Sequence, residues 1–259
     1  MGEAQGQAGF PSAHRVREIG TGQVWGWLTA GWHDLLAAGW VSLAYGALFV
    51  AIGFFITGGL VWLGMPYLIT PMIGGFLLVG PLLALGLYHI SAELAHGRRP
   101  GFWRALTAWR TNTFHILTAG LILMLTMMIW ARLSIVLFAL FFPYQSMSLE
   151  SFLVQIGTFQ GVVFTLFMLS LGFLFAAAAF VTNVVTLPLM LDEKTDVFAA
   201  ALISVIAVVK NPRPMALWAA LIVGVVGLGI ATAFLGLMVA LPLVGHASWH
   251  AYREVVTRS

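Results

Sequence analysis

The sequence predicts an all-α, polytopic integral membrane protein of about six transmembrane helices. Three observations carry this expectation. Hydrophobic residues make up 61% of the 259 and charged residues 8%, against roughly 25% charged in soluble domains. A soluble fold of this size cannot bury so much apolar surface, because every globule keeps a skin, so lipid is the natural solvent. Charged residues are also kept out of long runs: Leu35 to Ala92, Ser151 to Leu191 and Pro214 to Tyr252 hold no Asp, Glu, Lys or Arg. Finally, a pattern of amphipathic stretches and prolines recurs along the chain.

A bilayer core about 30 Å thick takes roughly 20 helical residues. The first run therefore holds two spans, about 39–63 and 71–92, joined near Met65-Pro66-Tyr67. The third is expected at about 113–137 and the fourth at about 162–190. The last run has 39 residues and as one helix would reach about 58 Å at 1.5 Å per residue. A hairpin turning near Phe234-Leu235-Gly236 fits better, with spans at about 215–233 and 236–252, although no polar turn separates them. Ser134 to Phe142 is apolar and Pro143-Tyr144-Gln145-Ser146 reads as a turn. Residues 134–150 are a helix extension, a surface segment or an extra span.

Charge placement favours six spans with both termini in the cytoplasm. Arg15, Arg17, Arg98, Arg99, Arg104, Arg110, Lys194, Lys210, Arg213, Arg253 and Arg258 then share one side, which is eleven of the twelve basic residues, a strong positive-inside bias. Arg132 is the exception. Residues 1–23 are polar and Gly-rich, without an apolar signal-peptide core, and are expected to form a flexible cytoplasmic tail. Residues 24–253 form the membrane domain and 254–259 a short C-terminal tail.

The second and sixth spans resemble each other. Gly75-Phe-Leu-Leu-Val-Gly-Pro81 aligns with Gly236-Leu-Met-Val-Ala-Leu-Pro242, followed by Tyr88-His89 or Trp249-His250 and then Glu93 or Glu254. The fourth span carries Pro188 in a comparable place. Each odd span follows an amphipathic stretch: Trp25, Leu28 and Trp32; Phe102, Leu106 and Trp109; Phe198, Leu202 and Val205. Three- and four-residue spacings put each set on one helical face, suited to a membrane interface with Arg104 and Arg110 toward phosphates. The architecture expected is three repeats of an interfacial helix plus a helical hairpin.

Few residues can carry chemistry. There is no cysteine, hence no disulfide or thiolate site, and a net charge of +3 gives no footing for nucleic acid. No P-loop, G-x-G-x-x-G, G-x-S-x-G or intramembrane carboxylate pair is present, so no catalytic residue is named and an enzyme is not expected. Pro81, Pro188 and Pro242 remove backbone donors and kink helices. They either set packing angles or shape a cavity. His246 and His250 share a helical face and His89 is the repeat mate of His250. The three either converge on a metal or haem iron or sit as amphipathic rings at the interface. Arg132 either contacts an anionic ligand or lipid, pairs with Glu150, or snorkels to the headgroups. Asn183, inside the fourth span, needs a hydrogen-bond partner, and an interhelical one is expected. Glu93 and Glu254 are expected to pair with Arg98, Arg99 or Arg253, and Asp192-Glu193-Lys194 reads as a solvated loop.

Three stretches carry a family resemblance: Gly80-Pro-Leu-Leu-Ala-Leu-Gly-Leu-Tyr-His-Ile-Ser-Ala-Glu93, Leu187-Pro-Leu-Met-Leu-Asp192 with Asn211-Pro212, and Pro242-Leu-Val-Gly-His-Ala-Ser-Trp-His-Ala-Tyr-Arg253. Over about residues 20–258 the chain resembles an uncharacterised proteobacterial integral-membrane family, a domain of unknown function whose members are sometimes labelled cytochrome c oxidase subunit I-like. The resemblance implies a helical fold in a bacterial inner membrane and no particular activity. The histidines are too few, and too near the cytoplasmic edge, for a haem–copper centre. The composition points to a non-catalytic accessory or assembly partner of a larger membrane complex, or a homo-oligomer. Small residues at Gly224, Gly227 and Gly229 allow close helix approach. The alternatives are a transporter or channel for a small apolar or lipid-like solute, and a haem- or metal-binding protein using His89, His246 and His250.

Overall fold

The computed structural model describes residues 16–65, 68–143 and 157–257. These are helical apart from turns and one isolated bridge. The helices are α1 (Thr21–Ala38), α2 (Trp40–Trp62), α3 (Ile69–Leu83), α4 (Leu85–Ala95), α5 (Phe102–Leu106), α6 (Thr113–Phe141), α7 (Phe159–Asn183), α8 (Thr186–Glu193), α9 (Val197–Lys210), α10 (Pro212–Ala231) and α11 (Leu237–Val255), with a 3-10 turn at Ala108–Asn112 before α6. Glu150, Arg15, Arg258 and most of the Pro143–Ser146 and Met65–Tyr67 turns lie outside the described residues.

Local chemistry sets the boundaries. Gly39 separates α1 from α2 with φ +55° and ψ −122°, a backbone region that a Cβ makes costly. Thr158 caps α7 through Gly161 N, and Asp196 caps α9 through the amides of Phe198 and Ala199. Pro212 opens α10, where its missing N–H costs nothing. Ser134 to Phe141 continues α6 as helix. Between α10 and α11 the chain reverses over Thr232–Gly236, so the last two helices are separate. The Thr232 hydroxyl accepts from Gly236 N at 2.7 Å and donates to Gly229 O at 2.8 Å.

Five helical segments are long and apolar enough to cross a membrane: Trp40–Trp62, Met72–Ala95, Ala108–Phe141, Phe159–Glu193 and Pro212–Ala231. The sixth expected span, α11, has the length at 19 residues. It falls short in apolarity because it carries His246, Ser248, His250, Arg253 and Glu254. Twelve of its residues are buried, so it is the central post of the bundle rather than a lipid-facing helix.

The largest core lies at the end of the bundle nearest the termini. It joins Trp27 of α1, Leu87 and Ile90 of α4, Leu187 and Met190 of α8, Ile203 of α9, Trp218 of α10 and Trp249 and Tyr252 of α11. The amphipathic faces read from the sequence are only partly those that pack. On α1 the buried face is Val24, Trp27, Gly31 and Leu35, while Trp25 and Trp32 are exposed. On α9 the buried face is Val197, Ala200, Ile203, Ser204 and Ala207, and Phe198 points outward. Small residues line the packed faces because they let helices approach closely, and lipid accepts the large ones. Phe102, Leu106 and Trp109 share one face, and it packs against the core.

The expected tails are also shorter. Arg17 N donates to Val255 O at 2.9 Å beside a Val16–Val256 bridge, and Asn211 accepts from Ile19 N at 2.8 Å and donates to Arg17 O at 2.9 Å. Glu254 belongs to α11 and accepts from Gln23 and from the Trp27 indole, each at 2.5 Å. Residues 16–23 and 254–256 are therefore part of the fold. Asn211→Ala leaves the part-buried Ile19 N–H and Arg17 carbonyl without this partner, at about 1 kcal/mol for each hydrogen bond. The expected outcome is protease cleavage near Arg17–Gly20 before global unfolding, read by limited proteolysis and mass spectrometry.

Candidate functional site

Polar side chains inside this bundle are few, and four helices bring five of them into one chain. Ser42 of α2 lies 2.8 Å from His246 Nε2, and Ser91 of α4 lies 2.8 Å from His246 Nδ1. Ser91 also lies beside the carboxylate of Asp34 on α1 and helps to hold it ionised. Asp34 Oδ2 accepts from His250 Nε2 at 2.9 Å. A carboxylate only accepts, so His250 Nε2 carries the proton of its bond to Asp34. Ser42 and His246 are fully buried.

Burial pushes the Asp34 carboxyl upward, but hydrogen bonds from His250 and Ser91 and the nearby histidine charges outweigh it, holding the group below its ordinary 3.8. A depressed carboxyl contributes stability above its unfolded pKa and loses it as pH falls through the folded value. Unfolding temperature in mild detergent is therefore expected to fall as pH drops below about 4, and Asp34→Asn to blunt that fall relative to wild type.

A serine hydroxyl against an imidazole is the arrangement that activates a nucleophile. Here both side chains are fully buried, and their bonds tie α2, α4 and α11 together. The three histidines named from the sequence do not converge. His89 turns to Glu93, with Nε2 3.9 Å from Oε2, while His246 and His250 join the polar chain. Among the described residues no group of three or more His, Asp or Glu is placed to hold a metal ion. Helical spacing put His246 and His250 on one face, but they are held by different partners.

The remaining candidates have specific partners. Buried Glu93 pairs with Arg104 at 2.9 Å and Arg98 at 3.8 Å, so Arg104, though more than half exposed, already holds a carboxylate partner. Asp192 is not in a solvated loop: it accepts from the Tyr252 hydroxyl at 2.9 Å and lies 3.5 Å from Arg253. Asn183 donates to Ala179 O and Thr182 Oγ1, partners in its own helix rather than across an interface. Arg132 is exposed on α6, about 28 Å from the helix start at 1.5 Å per residue.

The prolines act differently from one another. α3 ends at Leu83, two residues past Pro81, and the Tyr45 hydroxyl donates to the Leu83 carbonyl at 2.9 Å. Gly86 leaves room for that ring, since a Cβ there would lie 2.4 Å from it. α7 gives way to α8 just before Pro188, where Ser204 donates to Val181 O at 2.8 Å. α11 runs through Pro242 without a break. The carbonyl freed by Pro242 is that of Met238, and it faces Gly46 of α2, where a Cβ would approach to 2.4 Å. Neither the glycine mates nor the Ser42 and Ser91 partners were evident in the sequence. Only their positions one turn apart on α2 (Ser42, Tyr45, Gly46) hinted at a packed face.

An apolar cleft opens between α2 and α3. α11 packs on α2 and α4, but its tip at Phe234–Leu237 reaches only the level of Gly53 and Phe54. Beyond that tip the two helices stand apart and leave a cavity of about 340 Å³. Phe49, Leu60, Ile73, Phe76, Met127 and Phe234 are among its lining, in which Thr57 is the one polar side chain among the described residues.

Fold and site together define an all-helical polytopic membrane protein with a buried polar tie and an apolar cleft. Residues 69–192, from α3 to α8, match the family described as a predicted integral membrane protein (DUF2189). Over this segment the chain is similar to that family, the uncharacterised integral-membrane family that its motifs resemble. The match takes in the Gly80–Glu93 and Leu187–Asp192 stretches, while Pro242–Arg253 lies beyond it. No curated protein and no solved structure matches the chain.

Proposed function

We propose that this is a non-catalytic membrane protein that binds a lipid-like, hydrocarbon ligand in the α2–α3 cleft. The observation that carries the reading is the cleft itself. Ligand pockets typically measure about 300–1,000 Å³ and are mainly apolar, and this one lies between helices whose outer faces meet lipid. Among the described residues no charged side chain lines it, which speaks against ion-coupled transport. The Val16–Val256 bridge supports an even number of crossings, with α11 as the sixth. The basic residues favour cytoplasmic termini in an inner membrane, with α1, α5 and α9 at the interface.

Gly53 gives the test. A Cβ there meets only the Phe234 ring, at 3.8 Å, so a leucine side chain enters the cleft. Native mass spectrometry of the wild type from mild detergent is expected to show a retained lipid mass, and Gly53→Leu to lose it without a fall in melting temperature. A wild type that flies bare under the gentlest activation would sink the reading.

The accessory role is the second reading, supported by an outward stripe on α10. Ala216, Ala220 and Gly224 are exposed at four-residue spacing, and nothing lies within 4 Å of a Cβ at Gly224 or Gly227. Gly229 is used internally, against Leu237 and Ala240. A partner helix or a second copy fits such a stripe. Crosslinking from position 224 in native membranes tests it.

A further inference from the structure

We propose that the occupant of the cleft is one acyl chain of a phospholipid from the leaflet remote from the chain termini, inserted methyl end first. This rests on the cleft being a hydrocarbon site and adds the ligand class, its direction and its leaflet. The direction follows from how the two ends are built. The end nearer the termini is closed by Phe49 and Leu83. Behind them the Tyr45 ring stacks on Phe49 at 5.3 Å and its hydroxyl is already committed to the Leu83 carbonyl. A headgroup driven to that end would be desolvated with no partner, at a cost of several kcal/mol.

The other end is bounded by Leu60 and Ile69, beside the turn that joins α2 to α3. Thr57, the one lining hydroxyl among the described residues, is one turn from Leu60, and Trp62 is 86% exposed just beyond, where an indole sits well at headgroup depth. From Phe49 to Leu60 the cleft follows eleven residues of α2, about 16 Å at 1.5 Å per residue. That is half of a hydrocarbon core about 30 Å thick, hence one leaflet. The volume of about 340 Å³ lies at the lower bound for whole ligands, which favours a single chain over two.

The test uses the full-length protein in phosphatidylethanolamine vesicles doped with one of two phosphatidylethanolamine probes. One carries a photoactivatable diazirine at the methyl end of one chain, the other near its ester. After illumination, adducts are mapped by peptide mass spectrometry. The methyl-end probe is expected on Phe49, Phe76 or Leu83, the ester-end probe on Thr57, Leu60 or Ile69, and both fall to background in Gly53→Leu. The reversed pattern would overturn the direction and leaflet while leaving a hydrocarbon site in place. Equal labelling of both ends by both probes would likewise overturn the direction. Adducts confined to outward residues such as Phe55 and Phe173, with none in the cleft, would overturn the site itself.

Discussion

Gly46→Leu is expected to be among the most damaging single substitutions in the protein, costing about 3 kcal/mol or more, the upper range for overpacking. The first atom added at this position would lie 2.4 Å from the Met238 carbonyl oxygen and 2.9 Å from its carbon. Both belong to the backbone of α11, so no side-chain rotation relieves the clash and α2 must move away. Ser42 is one turn from Gly46 on the same helix, so the same movement stretches its bond to His246. Gly58 supplies the contrast. Nothing lies within 4 Å of a Cβ there, and Gly58→Ala is expected to be neutral or to stabilise by roughly 0.5–1 kcal/mol, the helix-propensity difference. Reversible unfolding in SDS–detergent mixtures reads both. Equal midpoints would refute the close packing of α2 on α11.

His246→Ala is expected to cost a comparable amount by another route. The side chain is fully buried and holds two hydroxyls from different helices, each at 2.8 Å. Truncation leaves those hydroxyls short of partners, at about 1–3 kcal/mol each, and opens a cavity besides. The distinguishing measurement is a triple change. Ser42→Ala, Ser91→Ala and His246→Leu together remove all three polar groups, and replacing partners jointly by apolar groups is close to neutral. The triple variant is expected to be more stable than His246→Ala alone. If it is less stable, the loss falls on Asp34, which Ser91 also supports.

How far the fold was legible depended on which physics wrote each part. Charge exclusion over Leu35–Ala92 and Pro214–Tyr252 marked the long helices within a few residues, because water and lipid sort whole segments. The faces of α1 and α9 were harder. Periodicity selects large apolar side chains at three- and four-residue steps, but Trp25, Trp32 and Phe198 look outward and Gly31, Ala200 and Ala207 look inward. In lipid both faces of a helix are apolar, and size rather than polarity decides which one packs. His246 was visible as an interior candidate. Its partners were not, because a serine on α2 and another on α4 carry no local signal of meeting a histidine on α11. The ion pairs of Glu93 were visible in kind, as carboxylate with neighbouring arginine, but not in the choice of Arg104.

The unequal helix lengths have a consequence for the surrounding membrane. α6 has 29 residues and α10 has 20, about 43 Å and 30 Å at 1.5 Å per residue. A hydrocarbon core about 30 Å thick matches α10 upright but forces α6 to tilt or the lipid beside it to thicken. The perimeter therefore presents a thick edge and a thin one. A bilayer that met both edges without tilting α6 would be graded in thickness around the protein.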